Sequence, residues 1–258
     1  MIKSLHTAAT GMQAQQTNMD VTANNIANTS TTGFKKSRAE FEDLLYQTVK
    51  EPGSASGLNA ISPTGVQVGL GVKTGAVQKD FTMGSVKMTN NAYDMQIEGK
   101  GFFQILTPDG EMAYTRNGEF KRTSEGRIVD TNGNPLQPEI TVPSDALKLM
   151  ISTSGEVSVL TPGEPEPQTL GQVELASFVN PTGLKAVGGN IFKATAASGQ
   201  ANIGNPAQGH YGAIGQGQLE SSNVNIVEEM VNMITSQRSY ETNAKVMQAA
   251  DQMLQMIN

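Results

Sequence analysis

The chain contains no cysteine among its 258 residues. That excludes a disulfide framework, a thiolate metal site and a thiol nucleophile together, and it suits a protein that works outside the cytoplasm. Aromatic residues make up only 5% of the chain and apolar residues 37%, so the core can be real but modest. Basic residues are outnumbered, 18 Lys and Arg against 24 Asp and Glu, for a formal net charge of -6. No local basic run compensates, which argues against a sequence-independent nucleic-acid binder, because such a protein must displace counterions from phosphates. No apolar run reaches the roughly 18 residues of a membrane span. The N-terminal stretch MIKSLHTAATGMQAQQTNMD also lacks the apolar centre of a cleaved secretory signal. The expectation is a chain with no membrane insertion that, if exported, leaves without a cleaved signal peptide.

Catalytic signatures are missing as well. His6 and His210 are far apart and belong to no ligand-spaced cluster, so no metal site is expected. The glycines of GLGVKTG, Gly69 to Gly75, miss the dinucleotide fingerprint by one position and lead into no βαβ unit, so no cofactor is expected. No G-x-S-x-G elbow, phosphate loop or H-E-x-x-H is present. Asp94, Glu98, Asp109 and Glu111 could pair as glycosidase carboxylates do, which keeps a β-rich glycan-acting hydrolase as the contrasting reading. Carboxylates beside turns are ordinarily solvated, and no enzyme is expected.

What is present is periodicity at the two ends. Ile2, Leu5, Ala9, Met12, Gln16, Met19, Ala23 and Ile26 follow alternating spacings of three and four, the seam of one helix. Ile226, Met230, Met233, Gln237, Tyr240, Ala244 and Met247 repeat the pattern, and Ala250, Leu254 and Ile257 continue it after a one-residue slip. Asn225 is a suitable N-cap, with Glu228 three residues on and Glu229 adding charge at the positive helix end. Helices with such narrow apolar stripes are marginal alone. They can pair with one another, or this pair can pack in addition against other copies; the methionines and the small residues Ala8, Ala9, Gly11, Ala23, Ala244 and Ala249 favour several non-identical contacts. In an isolated chain both ends are expected to be largely unfolded, ordering on assembly.

Between the ends the period becomes two. Gln67 to Gln78 and Gly101 to Leu106 have strand character, as do Lys148 to Ser152, Glu156 to Leu160, Val173 to Val179 and Asn190 to Ala194. Hairpin signals recur at Asp109-Gly110, Asn117-Gly118, Glu125-Gly126 and Asn132-Gly133. The expected fold is α+β: terminal helices paired as a coiled-coil-like axial domain, a central all-β domain of antiparallel strands, and an extended bridging segment. Residues 1–33 and 220–258 form the two halves of the axial domain, 34–80 the connection, and 81–219 the β domain. Within the connection, EPGSASGLNAISP, Glu51 to Pro63, reads either as a mobile loop or as an insertion ordered against neighbouring subunits.

A family resemblance rests on both ends. TAATGMQAQQTNMDVTANNIANTSTTGFKKS, Thr7 to Ser37, resembles the N-terminal signature of the flagellar rod and hook axial proteins, and ESSNVNIVEEMVNMITSQRSYETNAKVMQAADQML, Glu220 to Leu254, resembles their C-terminal signature. TNNAYDMQIEGKGFFQI, AYTRNGEF and the bridge from YQTVKEPG to PTGVQVGLGV look like the distal-rod members of that family, with proximal rod or hook-type members as the alternative. Asn225 stands where relatives often carry Asp.

The resemblance implies a structural protein of the bacterial flagellar basal body, exported by the flagellar type III apparatus into the periplasm. It implies helical polymerisation into a hollow distal rod that transmits torque from motor to hook, passes exported subunits, and adjoins proximal rod proteins, the hook protein and the surrounding outer rings. Under it, Leu5, Ala9, Met12, Met19, Ala23 and Ile26 with Ile226, Met230, Met233, Tyr240, Ala244, Met247 and Leu254 form the assembly seam. Asn24, Asn25, Asn28, Gly33 and Phe34 form a junction, with Asn28 as a left-handed C-cap and the Asn24 and Asn25 amides turned off the seam toward neighbouring subunits. The bridge from about Tyr46 to Val68 resembles the family's rod-type insertion, associated there with stiffness.

Overall fold

The computed structural model describes residues 2–53, 55–57, 60–61, 63–163 and 166–256. The chain forms two compact units, one of residues 1–27, 37–79 and 225–258, the other of residues 28–36 and 80–224.

The first unit joins two long helices to a β-ribbon. Helix α1 spans Ile2–Ala27 and α2 spans Ile226–Gln255, and they pack together. At the start of α2 the Asn225 side chain accepts hydrogen bonds from Val227 N at 3.1 Å and Glu228 N at 3.5 Å, satisfying donors that have no partner inside the helix. In this single chain both ends are therefore already helical, each providing the other's partner. The ribbon pairs Ser37–Asp43 with Val72–Lys79 and continues as Tyr46–Lys50 with Val66–Gly69. It packs on α1, where Gly71 is required: its φ is +120°, and a Cβ there would lie 2.2 Å from Thr10 Oγ1. Beyond it, Ala55–Gly57 pairs with Ala60–Ile61, so described parts of the Glu51 to Pro63 stretch are strands. Ser54, Leu58, Asn59 and Ser62 lie outside the described residues, as does Ile257.

The second unit is antiparallel throughout. Its main sheet orders the strands Lys185–Gly188, Ile191–Lys193, Met112–Thr115, Phe102–Leu106, Leu175–Ser177 and Asn202–Gly204, with Leu136–Gln137 also paired to Phe102–Leu106. A three-stranded sheet of Lys148–Ile151, Glu156–Leu160 and Gln168–Gln172 and several two-stranded pairs complete it. Alternation along Phe102–Leu106 separates two clusters. Phe103 and Ile105 enter the main core with Met95, Leu136, Val157 and Leu175, whereas Phe102 joins Tyr114, Phe178 and Phe192 on the other face. The strands expected at Gly101 to Leu106, Lys148 to Ser152, Glu156 to Leu160, Val173 to Val179 and Asn190 to Ala194 all occur, some trimmed by a residue or two.

The turn signals divide. Asp109-Gly110, Glu125-Gly126 and Asn132-Gly133 reverse the chain, each glycine with positive φ. Asn117-Gly118 does not form a hairpin. Gly118 accepts Met95 N–H at 3.0 Å through its carbonyl, and a Cβ on it would come within 1.5 Å of Met95 O, so this glycine is selected by close backbone approach.

Candidate assembly surfaces

The face that α1 turns to α2 is not the apolar stripe. The buried positions of α1 are Ala8, Ala14, Thr22 and Asn25, and with half-buried Gly11, Gln15 and Asn18 they trace a seam one residue before the expected one. On α2 the buried positions are Glu229, Ser236 and Ala250. The contacts between them are polar or very close. Asn18 Nδ2 donates to Ser236 Oγ at 2.8 Å, Asn25 Nδ2 to Glu229 Oε2 at 3.3 Å, and a Cβ at Gly11 would meet Asn243 Nδ2 at 2.9 Å. Small and amide side chains let the backbones approach and satisfy one another there.

The expected seam residues consequently flank this contact. On α1, Leu5, Met12, Met19 and Ile26 are half-buried and Ala9 and Ala23 exposed. On α2, Met233, Ala244, Met247 and Leu254 are half-buried, while Tyr240, Ile226 and Met230 are exposed. Val227, Val231 and Ile234 extend the exposed group, at 71%, 56% and 51%. Of the two partners that hydrophobic periodicity left open, the opposite helix of the same chain is met mainly by hydrogen-bonded small and polar residues, and the stripe lies beside that contact.

The junction also differs from expectation. Asn25 is turned inward: it is 1% exposed, donates to Ser37 O at 2.8 Å and accepts from Ser37 N at 2.9 Å besides its bond to Glu229. Asn24 is exposed. Asn28 is not left-handed; it holds the following turn through Thr31, whose N–H reaches Asn28 O at 3.1 Å. The left-handed residue is Gly33, φ +69°, and a Cβ on it would strike the Asn117 backbone at 2.7 Å. Phe34 is buried in the second unit.

Next to Phe34 lies a group that periodicity could not reveal. Lys35 is 1% exposed, and its Nζ stands 2.6 Å from Glu220 Oε1 and 2.7 Å from Thr82 O. Arg116, 4% exposed, holds Nε 3.1 Å from Glu220 Oε2 at ion-pair distance, although not aligned as a hydrogen bond, and donates Nη1 to Gly99 O and Gly101 O. Gly84 N–H supplies Glu220 Oε1 with a further bond at 3.0 Å, and Glu220 O accepts from Gly33 N at 2.8 Å. Burial pushes the Lys35 ammonium below its ordinary value, with the Glu220 carboxylate opposing that shift; burial likewise lowers Arg116. Asn223 completes the clasp, accepting from Lys36 N and donating to Asp80 O. The chain segments leading out of α1 and into α2 are thereby fastened side by side within the β unit.

The carboxylates considered for hydrolysis are dispersed among structural partners. Asp94 is buried and accepts from Asn91, Glu98 accepts from Gln218, and Glu111 pairs with Lys193. His6 lies near Leu70 O and His210 stacks on Tyr211. Among the described residues no group of three or more potential metal ligands forms, and no helix is long and apolar enough to cross a membrane.

Three family models match in chain order: "Flagella basal body rod protein" at residues 5–35, "Flagellar hook protein FlgE/F/G D1 domain" at 96–159, and "Flagellar basal body rod FlgEFG protein C-terminal" at 216–258. The "Flagellar basal-body rod protein FlgG" of Caulobacter vibrioides is 50% identical over 98% of this chain and 97% of its own length. The chain belongs to the flagellar rod and hook protein family. Its Borreliella burgdorferi relative of the same description is 48% identical across 100% of this chain, and the "Flagellar hook protein FlgE" of Salmonella typhimurium 24% identical over an alignment of 413 residues. Each of the three segments matched as rod and hook family contributes one charge to the clasp: Lys35 from the first, Arg116 from the second and Glu220 from the third.

Proposed function

We propose that this chain, a structural component of the flagellar basal-body rod, polymerises helically into the hollow distal rod, transmitting torque to the hook and passing exported subunits through its bore. The observation that carries this reading is the inverted helix pair. The α1–α2 contact uses polar and small residues, and Ile226, Val227, Met230, Val231 and Ile234 are left facing outward on α2. Patches of exposed apolar side chains on a soluble protein mark contact sites, and a head-to-tail contact that does not close yields a filament. The neighbours of such a tube would be proximal rod proteins, the hook protein and the encircling rings, after passage through the type III export apparatus into the periplasm.

Resemblance to FlgG proteins along the whole length, together with the longer alignment needed for the hook relative, supports a distal-rod role over a hook role. A hydrolase role has no comparable support, since Glu98 and Glu111 are each occupied by a structural partner. The proposal is tested by Ile234→Asp, which places a charge on the exposed apolar face of α2. Electron microscopy of the purified variant should show no tubes while its β-sheet circular dichroism is retained. Normal tubes from Ile234→Asp would remove the helix face from the assembly.

A further inference from the structure

The patch that α2 exposes lies at one end of the helix pair, and a groove lies at the other. The groove, about 510 Å³, is lined by Lys3, Thr7 and Ala8 of α1, by Asn243 and Val246 of α2, and by Val68 of the ribbon. Val68 and Val246 are 45% and 46% exposed, so apolar surface is offered from two walls. The helices run antiparallel, since Gly11 stands against Asn243, Asn18 against Ser236 and Asn25 against Glu229. The groove therefore flanks the start of α1, and the patch of Ile226, Val227, Met230, Val231 and Ile234 flanks its end.

Charge follows the same polarity. The only Lys, Arg, Asp or Glu residues of α1 are Lys3 in its first turn and Asp20 toward its end. No acidic residue accompanies Lys3 in that turn, and a cation there faces the positive end of its own helix, so an incoming carboxylate is favoured. The Lys3 Nζ reaches Gln47 Oε1 on the ribbon, which holds the ammonium at the groove. At the other end Glu228 is exposed beside the patch, three residues before Val231, and no Lys or Arg lies on α2 from Ile226 to Thr235. An apolar groove rimmed by a cation and an apolar patch rimmed by a carboxylate are complementary.

We infer that the groove of one copy receives Met230 and Val231 of α2 from a second copy, with Glu228 reaching Lys3. Met230 and Val246 stand 16 residues apart on one helix, which separates them by about 24 Å along its axis and about 160° around it. The two surfaces thus lie at opposite ends and on nearly opposite sides of α2. The contact is therefore heterologous, repeats from copy to copy, and offsets consecutive copies by about 24 Å along the helices. This inference rests on the polymer reading above and names the partner of its exposed face.

The absence of cysteine makes the test direct. The full chain carrying Met230→Cys and Val246→Cys is polymerised and treated with a short bis-maleimide, alongside each single-cysteine chain and a Leu147→Cys, Val246→Cys chain whose first cysteine lies on the β unit. The two helix positions are too far apart in one copy for the reagent to join them, so every link counted lies between copies. A ladder of covalent multimers from the Met230/Val246 chain, with at most dimers from the single-cysteine chains, is the expected result. Tubes without that ladder, or a ladder only from the Leu147/Val246 chain, overturn this docking while leaving the polymer intact. If Met230→Cys itself prevents tubes, Val231→Cys replaces it under the same criteria. Failure of the unsubstituted chain to form tubes overturns the polymer reading and this contact with it. Charge exchange gives a second readout: Lys3→Glu and Glu228→Lys should each raise the protein concentration needed for tubes by about fivefold and return it to the starting value when combined. No rise, or no return, counts against the pairing of Glu228 with Lys3.

Discussion

Replacing Glu220 by Gln keeps the side-chain shape and removes the carboxylate that pairs with both Lys35 and Arg116 in the buried clasp. Both cations then sit at 1% and 4% exposure without the carboxylate that pairs them, the situation in which breaking a buried ion pair costs about 3–5 kcal/mol. At roughly 2–4 °C per kcal/mol for a unit of this size, the thermal midpoint of the β unit should fall by about 6–20 °C. The reference is Glu111→Gln, which removes an ion pair with Lys193 on the surface and should leave the midpoint where it was. The deficit should also depend on pH. Burial already holds Lys35 below its ordinary value, and without Glu220 it falls further. Between the folded and the unfolded value the unfolded chain binds more protons than the folded one, so stability rises with pH across that window. The Gln variant should therefore recover part of its deficit as pH climbs toward 10.5, where Lys35 folds uncharged. Urea unfolding monitored by circular dichroism at several pH values measures both effects. A Glu220→Gln midpoint no lower than that of Glu111→Gln, or a deficit that grows in alkali, would refute this account of the clasp.

Two further outcomes follow from geometry elsewhere. Gly118→Ala should lower the thermal midpoint of the β unit sharply, because its Cβ would sit 1.5 Å from Met95 O, whereas Gly110→Ala, with open space around it, should cost only the strain of its positive φ. Deleting residues 53–62 removes the tip of the β-ribbon beyond Tyr46–Lys50 and Val66–Gly69; if the ribbon stiffens the polymer, tubes of the shortened chain should bend under the electron microscope, and straight tubes would remove that role.

The strands and their reversals were legible because period-two alternation and Asp-Gly, Glu-Gly and Asn-Gly pairs act locally. The start of α2 was legible for the same reason, since Asn225 caps its own neighbours Val227 and Glu228. Gly118 misled because an Asn-Gly pair looks identical whether it turns the chain or only allows another strand to approach. The helix stripes were visible, yet the polar contact between the helices was not: Asn18 and Asn25 look like solvated residues until Ser236 and Glu229 are seen opposite them. The clasp left no signal in spacing at all. Lys35 and Glu220 stand 185 residues apart, and nothing in the sequence of either distinguishes a buried charge from a surface one.

The polar seam between α1 and α2 also bears on alignment. An apolar stripe of Met and Ala tolerates sliding by a turn, because one adaptable side chain replaces another. Asn18 against Ser236 and Asn25 against Glu229 do not, since a shift by one heptad would strand a buried amide and a buried carboxylate without their hydrogen bonds. The helix pair thus carries an internal key that fixes which residues of α2 stand beside which of α1, and with them the height of the exposed apolar face along the pair.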